Sequence, residues 1–148
     1  MFVRLALEED IPAIVELARQ NCELSTPYLT FAPDRVVETC QQYLNTANPT
    51  IFVCEDKRKV IGMLVATISQ YRQAEGLYTT QEVLYVDRAH QGSRAAVVLT
   101  KHLIAWSERL GAIEITGGND NDYKSERTAR FLSHFGFERV GFFMRRMM

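Results

Sequence analysis

The chain has 148 residues, of which 47% are hydrophobic and 24% are charged, and its net charge at pH 7 is −1. These values are typical of one globular domain and exclude intrinsic disorder. A near-neutral chain is not built as a general nucleic-acid binder, so we expect no nucleic-acid partner.

The cysteines and histidines do not indicate a metal site. The chain has an odd number of cysteines, Cys22, Cys40 and Cys54, and no CxxC pair. This favours three reduced, buried thiols over a disulfide framework or a zinc site. His90 and His102 have no third ligand at a sensible spacing, so we expect no metal. The N-terminus has no basic leader before an apolar stretch, and no apolar run approaches the roughly 20 residues of a membrane span. We therefore expect a cytoplasmic protein without a membrane partner.

The first half of the chain predicts a strand, two helices and two further strands. Asp10 is a good helix N-cap and Pro12 suits the first turn, after which apolar residues recur at helical spacing. The last strand of this half is apolar on both faces and should be central in its sheet. The predicted elements are a strand at 3–7, a helix after Asp10, a loop at 23–32, a helix from Pro33, and strands at 50–55 and 60–71.

The second half alternates strands and helices. Because three strands follow one another in the middle of the chain, they must be antiparallel. We therefore expect one α/β domain over residues 1–148, with a mixed, mostly antiparallel sheet and helices on both faces. The predicted elements are a strand at 79–87, a helix from near Ser93 to Gly111, a strand at 112–116, a helix at 126–135, and one or two strand segments after Gly136.

The junction at 84–96, where a strand leads into a helix, carries the strongest chemical signal. The first N–H groups of a helix lack intrahelical partners and attract anions such as phosphate. Gly92 lets the backbone approach a ligand, while Ala95 and Ala96 keep the first turn slim. Arg94 opposes the helix dipole unless an anion lies between it and the helix end. This local pattern alone leaves both phosphate binding and a merely solvated arginine open.

The stretch Gln91-Gly92-Ser93-Arg94-Ala95-Ala96 resembles the Q/R-x-x-G-x-G/A signature of the GNAT superfamily of N-acetyltransferases. Gln91 and Ala96 fit the signature, whereas Arg94 stands where the family usually has glycine. Residues 127–141 resemble the second signature of the family, a helix that ends in Gly-Phe (Phe131–Phe137) before a strand. The resemblance covers nearly the whole chain. It implies transfer of an acetyl group from acetyl-CoA, as co-substrate, to the primary amine of an unidentified small molecule or peptide.

The resemblance also implies where acetyl-CoA binds. The pantetheine would pair with main-chain groups of the fourth strand, expected at Leu84, Tyr85 and Val86. The pyrophosphate would lie on the loop and helix start formed by Gln91, Gly92, Ser93, Arg94, Ala95 and Ala96. Ser125 stands where many members have an asparagine that contacts the cofactor, and Asn119 or Asn121 is the alternative.

Direct attack of an amine on a thioester needs a base and an oxyanion donor, and the leaving thiolate can use an acid. Glu82 is the candidate base, because its position two residues before Leu84 predicts the same strand face. The alternative is an ordinary exposed strand carboxylate. We expect the oxyanion donor to be a main-chain N–H near Val86. Leu132 occupies the position of the family's usual acid, a tyrosine, so Tyr123 or a water is left to supply the proton.

In similar proteins the first two helices and their loop cover the acceptor. Here Glu23, Tyr28 and Phe31 would form an aromatic wall with one carboxylate, unless the two rings simply cap the core. Two other functions stay open. One is a CoA-binding module without catalysis. The other is an unrelated nucleotide-binding α/β domain, although the full GxGxxG fingerprint is absent. The oligomeric state is also open, with a homodimer as one option.

Overall fold

The computed structural model describes residues 1–118 and 123–148. Short 3₁₀ turns at Glu8–Asp10 and Arg88–His90 precede α1 and α3. The strands and helices of the described chain follow in the order β1 (Phe2–Leu5), α1 (Ile11–Ser25), α2 (Pro33–Thr46), β2 (Thr50–Asp56), β3 (Lys59–Gln70), β4 (Leu77–Val86), α3 (Ala95–Arg109), β5 (Glu114–Thr116) and α4 (Ser125–Ser133).

The strands form one sheet in the order β1-β2-β3-β4-β5. Neighbours from β1 to β4 are antiparallel, and β4 pairs with β5 in parallel. The expectation of a mixed, mostly antiparallel sheet is thereby confirmed. Strand β3 lies at its centre, as its two apolar faces predicted, since Met63 packs in one core cluster and Leu64 in the other.

Helices cover both faces of the sheet, also as predicted. Residues of α1 and α2 pack with Met63 and Tyr85 on one face, among them Ile14, Leu17, Cys40 and Tyr43. Residues of α3 pack with Leu64 on the other face, among them Ala95, Leu99 and Leu103. The two core clusters anchor β4 from both sides, and β4 ends beside the segment with the strongest chemical signal.

Some helix boundaries differ from the sequence prediction in ways that affect the site. Helix α1 continues to Ser25, so Glu23 is helical and does not belong to the loop predicted at 23–32. Helix α3 begins at Ala95, so Arg94 is its N-cap residue and not part of its first turn. A polar residue near a helix end can belong either to the last turn of the helix or to the adjoining loop. Only the backbone hydrogen bonds show which of the two it is.

The predicted last strand is wrong. Residues 137–148 form no strand, and Val140, Phe142 and Met144 are 84–89% exposed. A strand needs a neighbour for its hydrogen bonds, and no described strand pairs with this segment. We call residues 137–148 the C-terminal arm. Its apolar and β-branched residues are typical of a strand, but the sequence pattern cannot say which partner is available.

Asp10 is expected to contribute strongly to stability at the start of α1. Its carboxylate accepts hydrogen bonds from Arg4 Nη1 (2.7 Å), Arg4 Nη2 (3.0 Å) and the Leu7 N–H (2.7 Å), and the residue is only 5% exposed. The bond from Arg4 outweighs burial and holds the pKa of Asp10 below its ordinary value. We expect Asp10→Asn to lower the free energy of unfolding by about 1.5–3 kcal/mol at pH 7, measured by urea denaturation.

This contribution has a defined pH dependence. The folded-state pKa of Asp10 lies below its unfolded value of about 3.9, so the stabilisation is complete above that value and is lost as the pH falls through the folded pKa. The difference between wild type and Asp10→Asn should therefore shrink in strong acid. Glu9→Gln, at the exposed neighbour, serves as the control and should change stability by less than about 0.5 kcal/mol. An equal difference between wild type and Asp10→Asn at pH 7 and pH 2 would contradict the ionic contribution.

Candidate active site

Among the described strands, β4 has no neighbour on one edge of its second half, which we call its open edge. Its parallel pairing with β5 runs from Tyr78–Glu114 to Thr80–Thr116, and the described register ends there. Beyond Thr80, no described strand pairs with β4 on the β5 side. An open strand edge presents unpaired N–H and C=O groups to a ligand. An extended molecule with amide groups can therefore add to β4 on this side.

The direction of the main-chain groups decides which residues face the open edge. Asp87 N–H donates to Ile61 O on β3 at 2.7 Å. Because these directions alternate in an antiparallel ladder, Tyr85 also directs its main-chain groups toward β3, while Leu84 and Val86 direct theirs to the open edge. Of the three predicted pantetheine contacts, Leu84 and Val86 have suitable main-chain geometry. Tyr85 does not, because its main-chain groups face β3 and its buried hydroxyl donates to Gln20.

Gln91 already contacts the open edge. Its Nε2 donates to the carbonyl of Val86 at 2.7 Å. This bond ties the loop after β4 back to the strand and fills one of the two lone pairs of that carbonyl. The predicted signature residue Gln91 therefore has a structural contact in addition to its expected contact with a phosphate.

The start of α3 follows a glycine with a positive φ and has no side-chain cap. Gly92 has φ +83°, and a Cβ built there would meet no atom within 4 Å. Position 92 therefore requires glycine because of its backbone angle and not because of crowding. Ser93 Oγ accepts from the N–H of Ala95 at 3.3 Å, and no side chain caps the helix from Arg94. Arg94 itself is exposed, beside N–H groups that the helix leaves without partners.

A cleft of about 500 Å³ lies beside this segment. It brings together four residues singled out from the sequence, namely Glu23, Tyr85, Gln91 and Tyr123. It does not include Glu82, Tyr28 or Phe31. The complete lining is Glu23, Leu24, Tyr85, Arg88, Gln91, Tyr123, Lys124 and Arg127. A second hollow of about 510 Å³, lined by Leu7, Glu8 and Glu9, contains none of the predicted site residues.

The cleft has a cationic rim that the sequence analysis did not single out. Arg88, Lys124 and Arg127 contribute three positive charges, against the one carboxylate of Glu23. Arg88 Nη2 lies 3.4 Å from Glu23 Oε2, and Glu23 also pairs with Arg19. Such a rim suits a ligand with phosphate or carboxylate groups. The carboxylate of Glu23 is shared between two arginines, which reduces its attraction for an amine.

Glu82 is the extra residue of a β-bulge. Val65 pairs with Val83 and Ala66 with Gln81, which leaves Glu82 without a partner residue on β3. The expected shared face with Leu84 is therefore wrong, because a bulge interrupts the two-residue alternation. Glu82 is exposed, and its Oε1 accepts a hydrogen bond from Thr67 Oγ1 at 3.0 Å. This contact puts Glu82 on the face that carries Val65 and the helices α1 and α2.

The remaining predicted residues have varied surroundings. Tyr28 is 47% exposed, and its ring lies 4.9 Å from the guanidinium of Arg145. Phe31 is half-buried and Ser125 is the first residue of α4. The predicted alternatives Asn119 and Asn121 lie outside the described residues.

Leu132, where the family's acid would be, is only 5% exposed and does not line the cleft. A tyrosine introduced there would have to displace core atoms, so Leu132→Tyr is expected to destabilise the fold.

Gln20 is a buried polar residue that sequence reasoning missed. It is 7% exposed and makes four hydrogen bonds. The only sequence feature that could have indicated its burial is its spacing, three residues after the buried Leu17 on α1. Its Nε2 donates to Asp87 Oδ1 (2.9 Å) and Glu16 Oε1 (3.2 Å), and its Oε1 accepts from the Tyr85 hydroxyl (3.1 Å) and the Arg88 N–H (3.0 Å). Gln20 thus fixes α1 to the end of β4.

The same network continues to His90. Its Nδ1 lies 2.9 Å from Asp87 Oδ2. Burial raises the pKa of Asp87, but hydrogen bonds from Gln20 and His90 outweigh burial and hold the pKa below its ordinary value. Asp87 is therefore ionised at neutral pH and holds the loop between β4 and α3 in place.

Within residues 1–118 and 123–148, no three His, Cys, Asp or Glu side chains are arranged to hold a metal ion. In that same part of the chain, none of the helices is both long and apolar enough to cross a membrane. All three cysteines are free thiols.

The described residues form an α/β protein in which the start of α3, without a side-chain cap, lies beside an open edge of β4. The family model for the acetyltransferase (GNAT) family matches residues 13–137. The chain belongs to this family, whose members are generally acyl-CoA-dependent transferases. No curated protein matches the sequence significantly.

Solved structures show the same fold along the whole chain. A transcriptional regulator from Bacillus halodurans is 19% identical with a TM-score of 0.81, covering 99% of this chain and 98% of that one. An acetyltransferase from Trypanosoma brucei is 17% identical with a TM-score of 0.77, covering 99% and 98%. An aminoglycoside 6′-N-acetyltransferase from Acinetobacter haemolyticus is 18% identical with a TM-score of 0.74, covering both chains completely. At these identities the similarity shows the fold alone.

Proposed function

We propose that residues 1–148 form one N-acetyltransferase domain that moves the acetyl group of acetyl-CoA to a primary amine by direct attack. The observation that carries this proposal is the open edge of β4 at Leu84 and Val86, which leads directly to the uncapped start of α3. An edge with free main-chain groups suits the amides of pantetheine, and the helix start suits a pyrophosphate.

The chain's own residues suggest how a direct attack by the amine would proceed. The amine nitrogen forms a bond to the acetyl carbon, and the C–S bond breaks to release CoA thiolate. Glu82 accepts the proton that the amine loses, and Thr67 orients its carboxylate. Since the N–H groups of Leu84 and Val86 face the open edge, they are the candidate donors to the oxyanion. Ser125 and Asn119 remain candidates for cofactor contacts.

An acetyl-CoA thiol-release assay tests the activity directly. Candidate acceptors are polyamines, aminoglycosides, amino acids and peptide N-termini, and Glu23, Tyr28 and Phe31 remain the candidates for acceptor contacts. We expect at least one amine class to give turnover above hydrolysis. CoA binding without turnover for any amine would favour the alternative, a CoA-binding module without catalysis. The buried Leu132 at the usual acid position is the observation that favours this alternative.

Arg94→Ala should separate a phosphate contact from a solvated arginine. We expect it to weaken CoA binding by about 1.5–3 kcal/mol in calorimetry, because it removes a charge-assisted hydrogen bond to phosphate. It should also raise the free energy of unfolding by about 0.3–1 kcal/mol without ligand, because a cation next to a helix N-terminus opposes the dipole. Arg109→Ala, at the other end of α3, is the control and should leave CoA binding unchanged. Unchanged CoA binding in Arg94→Ala would mean that Arg94 is solvated and makes no contact with the phosphate.

Tyr123→Phe tests the source of the final proton. A CoA thiol has a pKa near that of a free cysteine, about 8.5, so it can leave as an anion at moderate cost. We expect turnover to stay within about tenfold of wild type, with a water supplying the proton. Tyr123 lines the cleft, so a loss of about a hundredfold or more would identify it as the acid.

A further inference from the structure

The cleft at the end of β4 carries more positive than negative charge. The described residues that line it include three cations, Arg88, Lys124 and Arg127. They include one carboxylate, that of Glu23, which also pairs with Arg19 outside the lining. A cleft lined mainly by one sign of charge concentrates ligands of the opposite sign. The cleft therefore favours an anionic group over a further cation.

Arg88 is held in place and still has donors available to a ligand. Its main-chain N–H donates to the buried Oε1 of Gln20 at 3.0 Å, which fixes its backbone at the end of β4. Its side chain is 60% exposed and approaches Glu23 Oε2 through Nη2 at 3.4 Å. Because a guanidinium has five N–H donors, this one contact leaves several of them for a carboxylate.

The cleft and the candidate base lie on the same face of β4. Tyr85, which lines the cleft, packs in the core cluster of α1 and α2. Glu82 lies on this face too, since its carboxylate accepts the hydrogen bond from Thr67. Ala95, the first residue of α3, packs in the cluster on the opposite face. One molecule can therefore reach both Glu82 and the cleft along one face, while the pyrophosphate is expected at the start of α3.

The distance along β4 sets the size of that molecule. Tyr85 is three residues after Glu82, and a strand rises about 3.3 Å per residue, so the base and the cleft are about 10 Å apart. An α-amino acid is too short, because its amine and its carboxylate are attached to the same carbon. In an extended tripeptide, the N-terminal amine and the C-terminal carboxylate are about 10 Å apart.

We propose that the acceptor is a primary amine that carries a carboxylate about 10 Å from its nitrogen, as a short peptide does. The amine lies beside Glu82. The carboxylate is held by Arg88, Lys124 and Arg127. This assignment rests on the proposed acetyl transfer and narrows its acceptor. The same charges disfavour polyamines and aminoglycosides, whose additional ammonium groups would enter a cationic cleft.

Triglycine and triglycinamide are a matched pair of acceptors, because they differ only at the C-terminal carboxylate. In the thiol-release assay we expect kcat/KM for triglycine to exceed that for triglycinamide at least about tenfold, as charge-assisted hydrogen bonds to a carboxylate allow. Triglycine should also exceed glycine, and its advantage should fall as salt is added. Equal kcat/KM for the two tripeptides, or a higher value for spermidine than for triglycine, would overturn the proposal.

Arg127→Gln tests the cationic group itself. We expect KM for triglycine to rise at least about fivefold with kcat nearly unchanged, and KM for triglycinamide to stay the same. Arg127→Lys keeps the charge and should retain most of the preference. Arg130→Gln, at an exposed position of α4 outside the cleft lining, is the matched control. Weaker CoA binding in Arg127→Gln with an unchanged tripeptide preference would assign the rim to a phosphate of CoA and overturn the proposal.

Binding measurements separate this inference from the proposed acetyl transfer. NMR titration of the CoA-saturated protein with each tripeptide needs no turnover, and we expect triglycine to bind at least about fivefold more tightly than triglycinamide. Tighter binding of triglycine without turnover for any amine would support the carboxylate site and contradict acetyl transfer. Turnover with equal affinity for the two tripeptides would support acetyl transfer and overturn the carboxylate site.

Discussion

Glu82→Gln is expected to lower kcat with acetyl-CoA and a reactive amine by about 10²–10⁴-fold, and to leave acetyl-CoA affinity nearly unchanged. The amide keeps the size of the carboxylate but cannot accept the proton of an ammonium ion. Glu82 is the extra residue of the β4 bulge, and bulges commonly re-aim a side chain beside an active site. The hydrogen bond from Thr67 holds the carboxylate in one orientation.

The pH profile separates a base from a positioning group. An amine that arrives unprotonated needs no base, so the loss in Glu82→Gln should shrink as the pH approaches the pKa of the acceptor. Thr67→Val should cause a smaller loss, because it removes only the orienting hydrogen bond. Glu108→Gln, at an exposed position on α3, is the control and should keep wild-type turnover. A loss of equal size at every pH would mean that Glu82 positions the acceptor and does not take its proton.

The parts of the fold that follow from regular hydrophobic patterns could be predicted from the sequence. Residues 60–71 are apolar on both faces, which required a central strand, and β3 is central. The three consecutive strands without an intervening helix required antiparallel pairing, which β2, β3 and β4 show. These predictions succeed because burial on one or both faces constrains every second or every third to fourth residue.

Interruptions of those patterns could not be predicted. The bulge at Glu82 shifts the alternation by one residue, and nothing in the local sequence marks it. Gln20 joins α1 to Asp87 across 67 positions of sequence, so its role depends on tertiary contacts. A polar residue on an amphipathic helix is usually solvated, and only the fold distinguishes this one.

The C-terminal arm shows a different limit. Its residues favour a strand, but propensity for extended backbone does not supply a partner. In the structure its ends are held by Glu126 and Tyr28, at α4 and the loop after α1. The cationic rim of the cleft was missed for a similar reason, since Arg88 and Arg127 are 39 positions apart and ordinary as single residues.

Gly92→Pro is expected to reduce CoA affinity by about 100-fold or more while the protein stays folded. Gly92 has φ +83°, whereas proline holds φ near −65° and lacks an N–H. The substitution therefore turns the loop away from the helix start and removes one donor from the expected pyrophosphate site. Calorimetry with CoA measures the affinity, and circular dichroism with thermal unfolding checks that α3 and the sheet persist.

Alanine substitutions at both ends of α3 separate the ligand effect from backbone strain. Gly92 and Gly111 have φ +83° and +74°, and a Cβ at either would meet no atom within 4 Å. Because both positions are left-handed and open, Gly92→Ala and Gly111→Ala should each destabilise the fold by about 1–2 kcal/mol. Only Gly92→Ala should also weaken CoA binding, since only that glycine lies on the loop before the helix start. Equal CoA affinity in the two variants would mean that the pyrophosphate binds elsewhere, because strain alone acts equally at both ends of the helix.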